Sequence, residues 1–274
     1  MVVESGSMAD LDIEANKDLG QHWLIDPDSL EAICELARPG PSDYILEIGP
    51  GTGNLTDVLL SKGAHLIAVE IDKGLLAGLA RRFNNRPGFE LINADIRSYD
   101  LGQLPKGYKV VANIPYYLTG YLIRRLSESA NPPSLCVLLV QKEVAERLGA
   151  QPGKLSLLGV TAQTYWEVRL GPVIPASLFS PPPKVDSQVV VLSRRSKNLL
   201  IPANLRQQFF RIVGAGFSQR RKTIANSLSA GLKLSKSTTE QYLKRAGIDP
   251  LRRPQEISLK EWAKLSEELS KSDA

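Results

Sequence analysis

The sequence predicts an α/β protein: an open, mostly parallel sheet of the Rossmann-like type, followed by a small all-helical domain. Between about residues 44 and 193, short apolar runs alternate with helical patterns, which is typical of a parallel sheet covered by helices on both faces. From Pro202 onward apolar residues instead recur at spacings of three and four, which favours helices. A glycine-rich turn directly follows the first apolar run, where open α/β sheets bind ligands.

Seven apolar runs are predicted to be strands. The first five are expected to be buried and parallel; they are YILEI, HLIAVE, FELI, YKVVAN and SLCVLLV. The last two, WEVRL and SQVVVL, are separated mainly by the proline-rich stretch GPVIPASLFSPPPK. We therefore expect that one of these two strands can run antiparallel at the sheet edge.

Four segments near the C-terminus have helical periodicity: LRQQFFRIVGAGF, QRRKTIANSLSAGL, TEQYLKRAG and SLKEWAKLSEEL. The predicted organisation is a flexible segment over residues 1–16, an α/β domain over 17–200 and a helical domain over 201–274.

The net charge of +5 is unevenly distributed along the chain. Residues 194–274 carry 17 Lys and Arg against 7 Asp and Glu, whereas the preceding residues carry 17 against 22. A basic C-terminal lobe indicates a polyanionic partner, with chemistry in the acidic lobe. A solvated helical face is an equally weighted alternative.

Composition argues against several classes of protein. Cys34 and Cys136 are the two cysteines, and His22 and His65 are the two histidines, so a disulfide framework or a zinc centre is not expected. Magnesium held by carboxylates remains an open alternative. The sequence has no apolar run long enough to cross a bilayer and no secretion signal at its start, so we expect a soluble, cytoplasmic protein.

The glycine-rich turn has the sequence EIGPGTGN, with Gly49, Gly51 and Gly53 in GxGxG spacing. A dinucleotide fingerprint requires GxGxxG, and no GK[ST] of a P-loop follows. Glycines here let the backbone approach a ligand closely, which suits a nucleoside cofactor with an amino-acid tail. A purely structural strand-to-helix turn is the alternative.

Polar residues lie at or just after the ends of the next three predicted strands. Glu70 ends HLIAVE, where its carboxylate could accept hydrogen bonds from both ribose hydroxyls. Asp95 follows the third strand and could accept a hydrogen bond from an adenine amino group, and Asn113 ends the fourth strand. Each alone could be a loop cap, but together they favour a ligand site.

The segment Asn113-Ile-Pro-Tyr-Tyr117 is the most specific motif. It resembles the (D/N)PPY motif of methyltransferases that act on exocyclic amines of nucleobases, in the NIPY/NLPY form of ribosomal RNA adenine dimethyltransferases. An adenine N6 lone pair is delocalised into the ring. Accepting its N–H groups on the Asn113 side-chain oxygen and the Ile114 carbonyl would favour pyramidalisation. Pro115 would stiffen that carbonyl, and Tyr116 would stack on the extruded base. A strand-ending turn with a packed tyrosine is the alternative.

The resemblance extends from Lys17 to about Leu228 and implies membership of the KsgA-type small-subunit family. The segment GQHWLID, residues 20–26, is similar to the family's GQNFL segment, which closes over S-adenosylmethionine. It departs from the family at His22 and Trp23. The cofactor-binding residues that the resemblance implies are His22, Leu24, Gly49, Gly51, Gly53, Glu70, Ile71, Asp95, Ile96 and Asn113.

Two further motifs carry the resemblance. FSPPPKVDS, residues 179–187, is similar to the family's FxPxPKVDS signature and implies that Phe179 stacks on the target base opposite Tyr116; a proline-rich hinge that packs this ring into the core is the alternative. FSQRRKTIANSL resembles the family's FxQRRKTLxNxL stretch and implies phosphate contacts from Arg220, Arg221 and Lys222. Arg221 could instead cover apolar surface with its long stem.

The resemblance implies dimethylation of N6 on two adjacent adenosines. These lie in the 3′-terminal hairpin loop of small-subunit (16S) ribosomal RNA, and methylation occurs during assembly of the 30S particle. The protein would act as a monomer without a metal. One alternative is an Erm-type enzyme that methylates a large-subunit adenosine. The other is a non-enzymatic RNA-binding assembly factor that keeps the fold.

Overall fold

The computed structural model describes residues 15–195, 201–219 and 221–271. They form two compact units. The first contains the described chain up to Lys142 together with Gly171–Val191, and the second contains Glu143–Leu170 together with the described chain from Leu192 onward. The sequence predicts one boundary, at residue 200. In the structure, residues 143–170 instead group with the C-terminal part of the chain. Most of the segment 1–16, expected to be flexible, lies outside the described residues.

A seven-stranded sheet provides the framework of the site. Its strands are β2 (Tyr44–Ile48), β3 (His65–Glu70), β4 (Phe89–Asn93), β5 (Lys109–Asn113), β6 (Leu135–Gln141), β7 (Trp166–Ile174) and β9 (Ser187–Arg194). Their order across the sheet is β4-β3-β2-β5-β6-β9-β7. The first five of these pair in parallel, so the predicted fold class and strand set are confirmed.

The last two strands differ from the prediction in one respect. The Lys142 amide, directly after β6, donates to the carbonyl of Asp186, directly before β9. The Arg195 amide, directly after β9, donates to the carbonyl of Tyr165, directly before β7. These bonds join strand ends to strand starts, so β9 runs antiparallel to both neighbours. The antiparallel strand therefore lies one position inside the edge, which β7 occupies.

Four helices belong to the first unit: α1 (Pro27–Ala37), α2 (Asn54–Ser61), α3 (Lys73–Phe83) and α4 (Thr119–Glu128). Asp26 and Asp72 cap α1 and α3 by accepting backbone N–H bonds in the first turn. The core includes fully buried side chains of β2, β5 and β6, with α1, α2 and α3 packed on it. The carboxyl ends of β2 to β5 carry the predicted polar residues to one edge of the sheet.

A two-residue ribbon joins two segments that lie far apart in the sequence. Strand β1 (Trp23–Leu24) pairs antiparallel with β8 (Phe179–Ser180). The pairing sets Leu24 opposite Phe179 and Trp23 opposite Ser180. The N-terminal segment and the proline-rich segment are thereby held together.

The second unit consists mainly of helices: α5 (Lys142–Leu148), α6 (Leu157–Tyr165), α7 (Arg206–Phe217), α8 (Ile224–Leu232), α9 (Lys236–Ala246) and α10 (Leu259–Ser270). Its core is built around the fully buried Trp262, Phe209 and Leu243. Ser258 and Glu261 form a reciprocal capping box that starts α10. The four helical segments predicted from periodicity are confirmed as α7 to α10.

Candidate functional site

One cleft at the carboxyl edge of the sheet collects most of the predicted site residues. Its empty volume is about 850 Å³, including the mouth that is open to solvent. The predicted residues that line it are His22, Gly49, Gly51, Glu70, Ile71, Asp95, Ile96, Asn113, Ile114, Pro115 and Tyr116. The glycine turn and the Asn-Ile-Pro-Tyr turn therefore face a shared space.

The glycine turn adopts a backbone that other residues rarely adopt. Gly49 has φ of 67° and Gly51 has φ of 60°, both in the left-handed region. A Cβ on Gly51 would lie only 2.7 Å from Cδ1 of Trp23, so the indole ring packs directly on the turn. A Cβ on Gly49 would meet no atom within 4 Å. Gly49 is therefore required mainly for its backbone conformation. Gly51 is required also because a side chain there would collide with Trp23.

Glu70 lies at the centre of the cleft. It is 4% exposed, and its carboxylate accepts hydrogen bonds from the amide of Gly51 at 3.3 Å and the amide of Asp72 at 2.8 Å. Burial raises the pKa of this carboxyl, and the two amides oppose that rise. Glu70 thus ties the glycine turn to the end of β3 while its side chain still lines the cleft.

Asp95 is held by a neighbouring arginine. The guanidinium of Arg97 pairs with its carboxylate at 2.7 Å, and the Arg97 amide donates to it at 2.8 Å. These hydrogen bonds lower the pKa of Asp95. From α4, Tyr121 and Arg125 donate to the carbonyl of Arg97, and Arg125 also donates to the carbonyl of Tyr99. Helix α4 therefore holds the loop that follows β4.

The Asn-Ile-Pro-Tyr turn is fixed by contacts with three other segments. The side-chain amide of Asn113 donates to the carbonyl of His22 at 2.8 Å. The Ile114 amide donates to Leu139 on β6 at 3.2 Å. The hydroxyl groups of Tyr116 and Ser187 lie 3.0 Å apart and share a hydrogen bond. Among the described residues, the Asn113 side-chain oxygen accepts no hydrogen bond and so can accept one from a ligand.

His22 is positioned by two contacts. Its Nδ1 lies 2.8 Å from the carbonyl oxygen of Pro181, and its ring stacks on Tyr116 with centroids 6.1 Å apart. The neutral Tyr116 phenol is favoured because burial raises its pKa. A neutral tyrosine face beside an imidazole suits a planar base.

Three predicted residues do not line the cleft. Leu24 is buried in the core of the first unit, and Gly53 caps the start of α2, where a Cβ would lie 2.5 Å from Phe83. Phe179 is 3% exposed and also belongs to the core. The expectation that Phe179 stacks on a base is therefore not supported by this conformation. Its pairing with Leu24 in the β1–β8 ribbon turns the ring inward, as in the proline-hinge alternative.

The residues that line the cleft without having been predicted from the sequence include Gln21, Trp23, Arg97 and Tyr117. Trp23 was noted only as a departure from a family pattern. Tyr117 is 63% exposed. In the motif that contains both tyrosines, a stacking role was predicted for Tyr116 alone. Gln21 donates to Asp72 at 2.7 Å, which joins the N-terminal segment to the start of α3. The spacing of Asp95 and Arg97, two positions apart just after a strand end, could have indicated their pairing.

A buried carboxyl lies behind the glycine turn. Glu47 on β2 is 1% exposed and accepts a hydrogen bond from the Thr56 hydroxyl at 2.7 Å. Burial raises its pKa to about 8. The neutral form of the side chain is therefore favoured near pH 7, which limits the negative charge behind the turn.

The basic motif of the second unit is described in part. Arg221 and Lys222 are exposed, and Arg220 lies outside the described residues. Among the residues that the structure describes, no group of three or more His, Cys, Asp and Glu side chains is placed to hold a metal ion. Within the same described residues, no helix is both long enough and apolar enough to cross a membrane.

The cleft fits a nucleoside cofactor with an amino-acid tail. A buried carboxylate at Glu70 suits a ribose diol, and the open space over Gly49, where a Cβ would meet no atom within 4 Å, would be narrowed by any side chain there. The Trp23 Nε1 is buried and has no hydrogen-bond partner among the described residues, so a donor remains for a ligand. S-Adenosylmethionine has each of these complementary groups.

Comparisons with known proteins agree on one family. A model of the family described as ribosomal RNA adenine dimethylase matches residues 13–271. A ribosomal RNA small subunit methyltransferase A of Dehalococcoides mccartyi is 40% identical over 258 residues, covering 92% of this chain and 88% of that protein. The protein of the same name from Pelotomaculum thermopropionicum is 39% identical over 270 residues, covering 93% and 91%.

Among the solved structures that this chain resembles, two match about nine-tenths of its length. A dimethyladenosine transferase from Plasmodium falciparum is 26% identical with a TM-score of 0.78, covering 92% of this chain and 98% of that chain. The 23S rRNA methyltransferase ErmE is 27% identical with a TM-score of 0.74, covering 90% and 99%. Sequence and fold comparisons thus converge on enzymes that methylate ribosomal RNA.

Proposed function

The chain belongs to the ribosomal RNA adenine dimethylase family, and from this premise we propose that it dimethylates N6 of two adjacent adenosines in small-subunit (16S) ribosomal RNA. The targets are the pair in the 3′-terminal hairpin loop, and S-adenosylmethionine is the methyl donor. The observation that carries the proposal is the shared cleft, in which the glycine turn and the Asn-Ile-Pro-Tyr turn face one space.

The donor site is assigned along the cleft by chemistry. Asp95 accepts a hydrogen bond from the adenine amino group, and Glu70 accepts from the ribose hydroxyls. Gly49 and Gly51 let the methionyl part approach the backbone. When bound there, S-adenosylmethionine supplies an activated methyl group on a sulfonium.

The acceptor site lies at the Asn-Ile-Pro-Tyr turn. The Asn113 side-chain oxygen and the Ile114 carbonyl accept the N–H groups of the adenine amine, which localises the nitrogen lone pair and directs it at the methyl group. Tyr116 supplies a stacking face for the extruded base, with His22 beside it. The proton released from the alkylated nitrogen passes to solvent. Orientation and electrostatic complementarity provide most of the acceleration.

Two alternatives are weaker on specific grounds. The ErmE structure resembles this fold at 27% identity, whereas relatives named for the small subunit reach 40%. An assembly factor without catalysis would not need both a donor and an acceptor site, and this chain retains the residues of both. The exposed Arg221 and Lys222 add RNA phosphate contacts. The assembling 30S particle as partner, the monomeric state and the cytoplasmic location stay predictions.

The direct test is transfer of labelled methyl groups from S-adenosylmethionine to small subunits isolated from a strain that lacks this modification. We expect incorporation of four methyl groups per particle, two on each adenosine. Protein-free large-subunit RNA serves as the matched alternative substrate. Incorporation into that RNA with none into small subunits would overturn the proposal.

A further inference from the structure

Trp23 has an unusual position in the cleft. Its indole packs on Gly51 so closely that a Cβ on Gly51 would lie 2.9 Å from Nε1 as well as 2.7 Å from Cδ1. The edge of the ring that carries the N–H therefore faces the glycine turn. This arrangement places a hydrogen-bond donor where the backbone approaches the ligand.

The Trp23 N–H has no acceptor among the described residues, although the atom is buried. Buried indole N–H groups usually find a partner. Trp262 Nε1 is also without a partner, but that ring is fully buried in the core of the second unit. Trp23 differs because its ring borders the cleft, so a rotation of the side chain on ligand binding would turn the N–H toward the ligand.

A second, smaller cavity indicates which part of the ligand Trp23 meets. This cavity lies behind the glycine turn and is lined by Trp23, Asn113 and Glu47, but not by Glu70 or Asp95. Glu70 and Asp95 mark the ribose and adenine positions of the proposed donor site. Trp23 therefore lies toward the opposite, methionyl end.

The methionyl end of S-adenosylmethionine carries a carboxylate. The residues around this end can accommodate its negative charge. Arg97 is the one Lys or Arg among the described residues that line the cleft, and it is paired with Asp95 at the adenine end. Beside the glycine turn, Arg82 donates to the carbonyl of Thr52 and is paired with Asp57, so a carboxylate near Gly51 would meet mainly the uncharged donors that line the cleft. Burial raises the pKa of Glu47 and favours its neutral form, which limits repulsion, and the start of α2 adds favourable amide dipoles.

We infer that the indole N–H of Trp23 donates a hydrogen bond to the methionyl carboxylate of the bound cofactor. This inference rests on the proposed function, because it takes S-adenosylmethionine as the donor. Trp23 is then a cofactor-binding residue in its own right, and its side chain discriminates between ligands with and without that carboxylate.

The test compares two ligands in wild type and Trp23→Phe, which keeps an aromatic ring and removes the N–H. Calorimetric titration uses S-adenosylhomocysteine, which has the carboxylate, and 5′-methylthioadenosine, which lacks the amino-acid tail. Loss of a hydrogen bond to a charged group should weaken S-adenosylhomocysteine binding about tenfold or more. Binding of 5′-methylthioadenosine should change less than twofold. Tyr44→Phe, at the amino end of β2 on the opposite edge of the sheet, is the control and should change neither affinity.

An equal change for both ligands, or no change for either, would overturn the role of Trp23 and leave the proposed function intact. Wild type that binds neither ligand would overturn both. A second measurement does not depend on the stability of the variant: the indole N–H resonances of wild type are observed by NMR. The resonance of Trp23 should shift downfield and exchange more slowly with S-adenosylhomocysteine, but not with 5′-methylthioadenosine; the same response to both ligands would contradict the inference.

Discussion

The side-chain amide of Asn113 donates a 2.8 Å hydrogen bond to the carbonyl oxygen of His22, across 91 residues of sequence. The bond connects the acceptor turn after β5 to the N-terminal segment that covers the cleft. Because the amide nitrogen is engaged, the orientation of the Asn113 side chain is fixed, and its oxygen is presented for a substrate N–H. Under the proposed function, one residue thus links the position of the N-terminal segment to the alignment of the target amine.

Asn113→Ala should abolish most methyl transfer without unfolding the protein. Removing one preorganised transition-state contact typically lowers kcat about 10²- to 10³-fold, whereas the lost hydrogen bond to His22 costs about 1 kcal/mol of stability. Single-turnover methylation of small subunits and thermal unfolding measure the two effects. Asn84→Ala, at the exposed end of α3, is the control. Transfer at the wild-type rate would show that the catalytic role assigned to Asn113 is wrong.

Gly49→Ala and Gly51→Ala should differ in stability. Both residues have positive φ, so each alanine should cost about 1 kcal/mol of conformational strain. Only the Gly51 substitution also forces Trp23 to move, since the new Cβ would lie 2.7 Å from its ring; overpacking adds about 1–3 kcal/mol. Thermal unfolding of the cofactor-free protein should therefore show a larger loss for Gly51→Ala. Equal losses would contradict the packing of Trp23 on the turn.

Local signals were sufficient to predict most of the site. Gly49, Glu70, Asp95 and Asn113 each follow or end an apolar run, and parallel strands bring their carboxyl ends to one edge. That inference does not require the exact order of the strands in the sheet. The fold class and the strands and helices of the sheet region followed from the same periodic patterns.

Other features depend on contacts between distant segments and left no local signal. The burial of Phe179 results from the β1–β8 ribbon, which joins residues more than 150 positions apart. The grouping of residues 143–170 with the C-terminal helices reflects tertiary packing, since α6 contacts α7 and α10. Sequence patterns predict elements, but they do not specify which distant surfaces these elements cover.

Arg125→Met should weaken cofactor binding although Arg125 does not line the cleft. Its guanidinium donates to the carbonyls of Arg97 and Tyr99 and holds the loop that carries Asp95. Losing both charged donors should raise the dissociation constant of S-adenosylhomocysteine about tenfold, with RNA binding unchanged. Tyr121→Phe, which removes a single 3.1 Å bond to the same Arg97 carbonyl, should have a smaller effect. Wild-type affinity in Arg125→Met would contradict the positioning role.

Glu47 should make the folded protein less stable as pH rises. Its folded-state pKa is about 8 against an ordinary value of 4.5, so between these values the folded state binds one more proton than the unfolded state. The contribution of this carboxyl to stability is then most favourable below about pH 4.5 and falls by about 1.4 kcal/mol per pH unit toward pH 8. Glu47→Gln keeps an acceptor for Thr56 and removes the titration. The free energy of unfolding of the variant relative to wild type should increase from pH 5 to pH 8; a constant difference would refute the assignment.

Arg221→Ala and Lys222→Ala should reduce RNA affinity through electrostatics alone. Both side chains are exposed, and each phosphate contact releases counterions, so the plot of log affinity against log salt has a slope proportional to the number of contacts. Each substitution should make that slope shallower by about 0.7–0.9. At saturating RNA, kcat and cofactor affinity should be preserved, because neither residue lines the cleft. Lys233→Ala, at the exposed left-handed end of α8 outside the motif, is the matched charge control. If Lys233→Ala lowered affinity and slope as much as the motif variants, the effect would come from net charge of the helical unit, and the specific contacts assigned to Arg221 and Lys222 would be wrong.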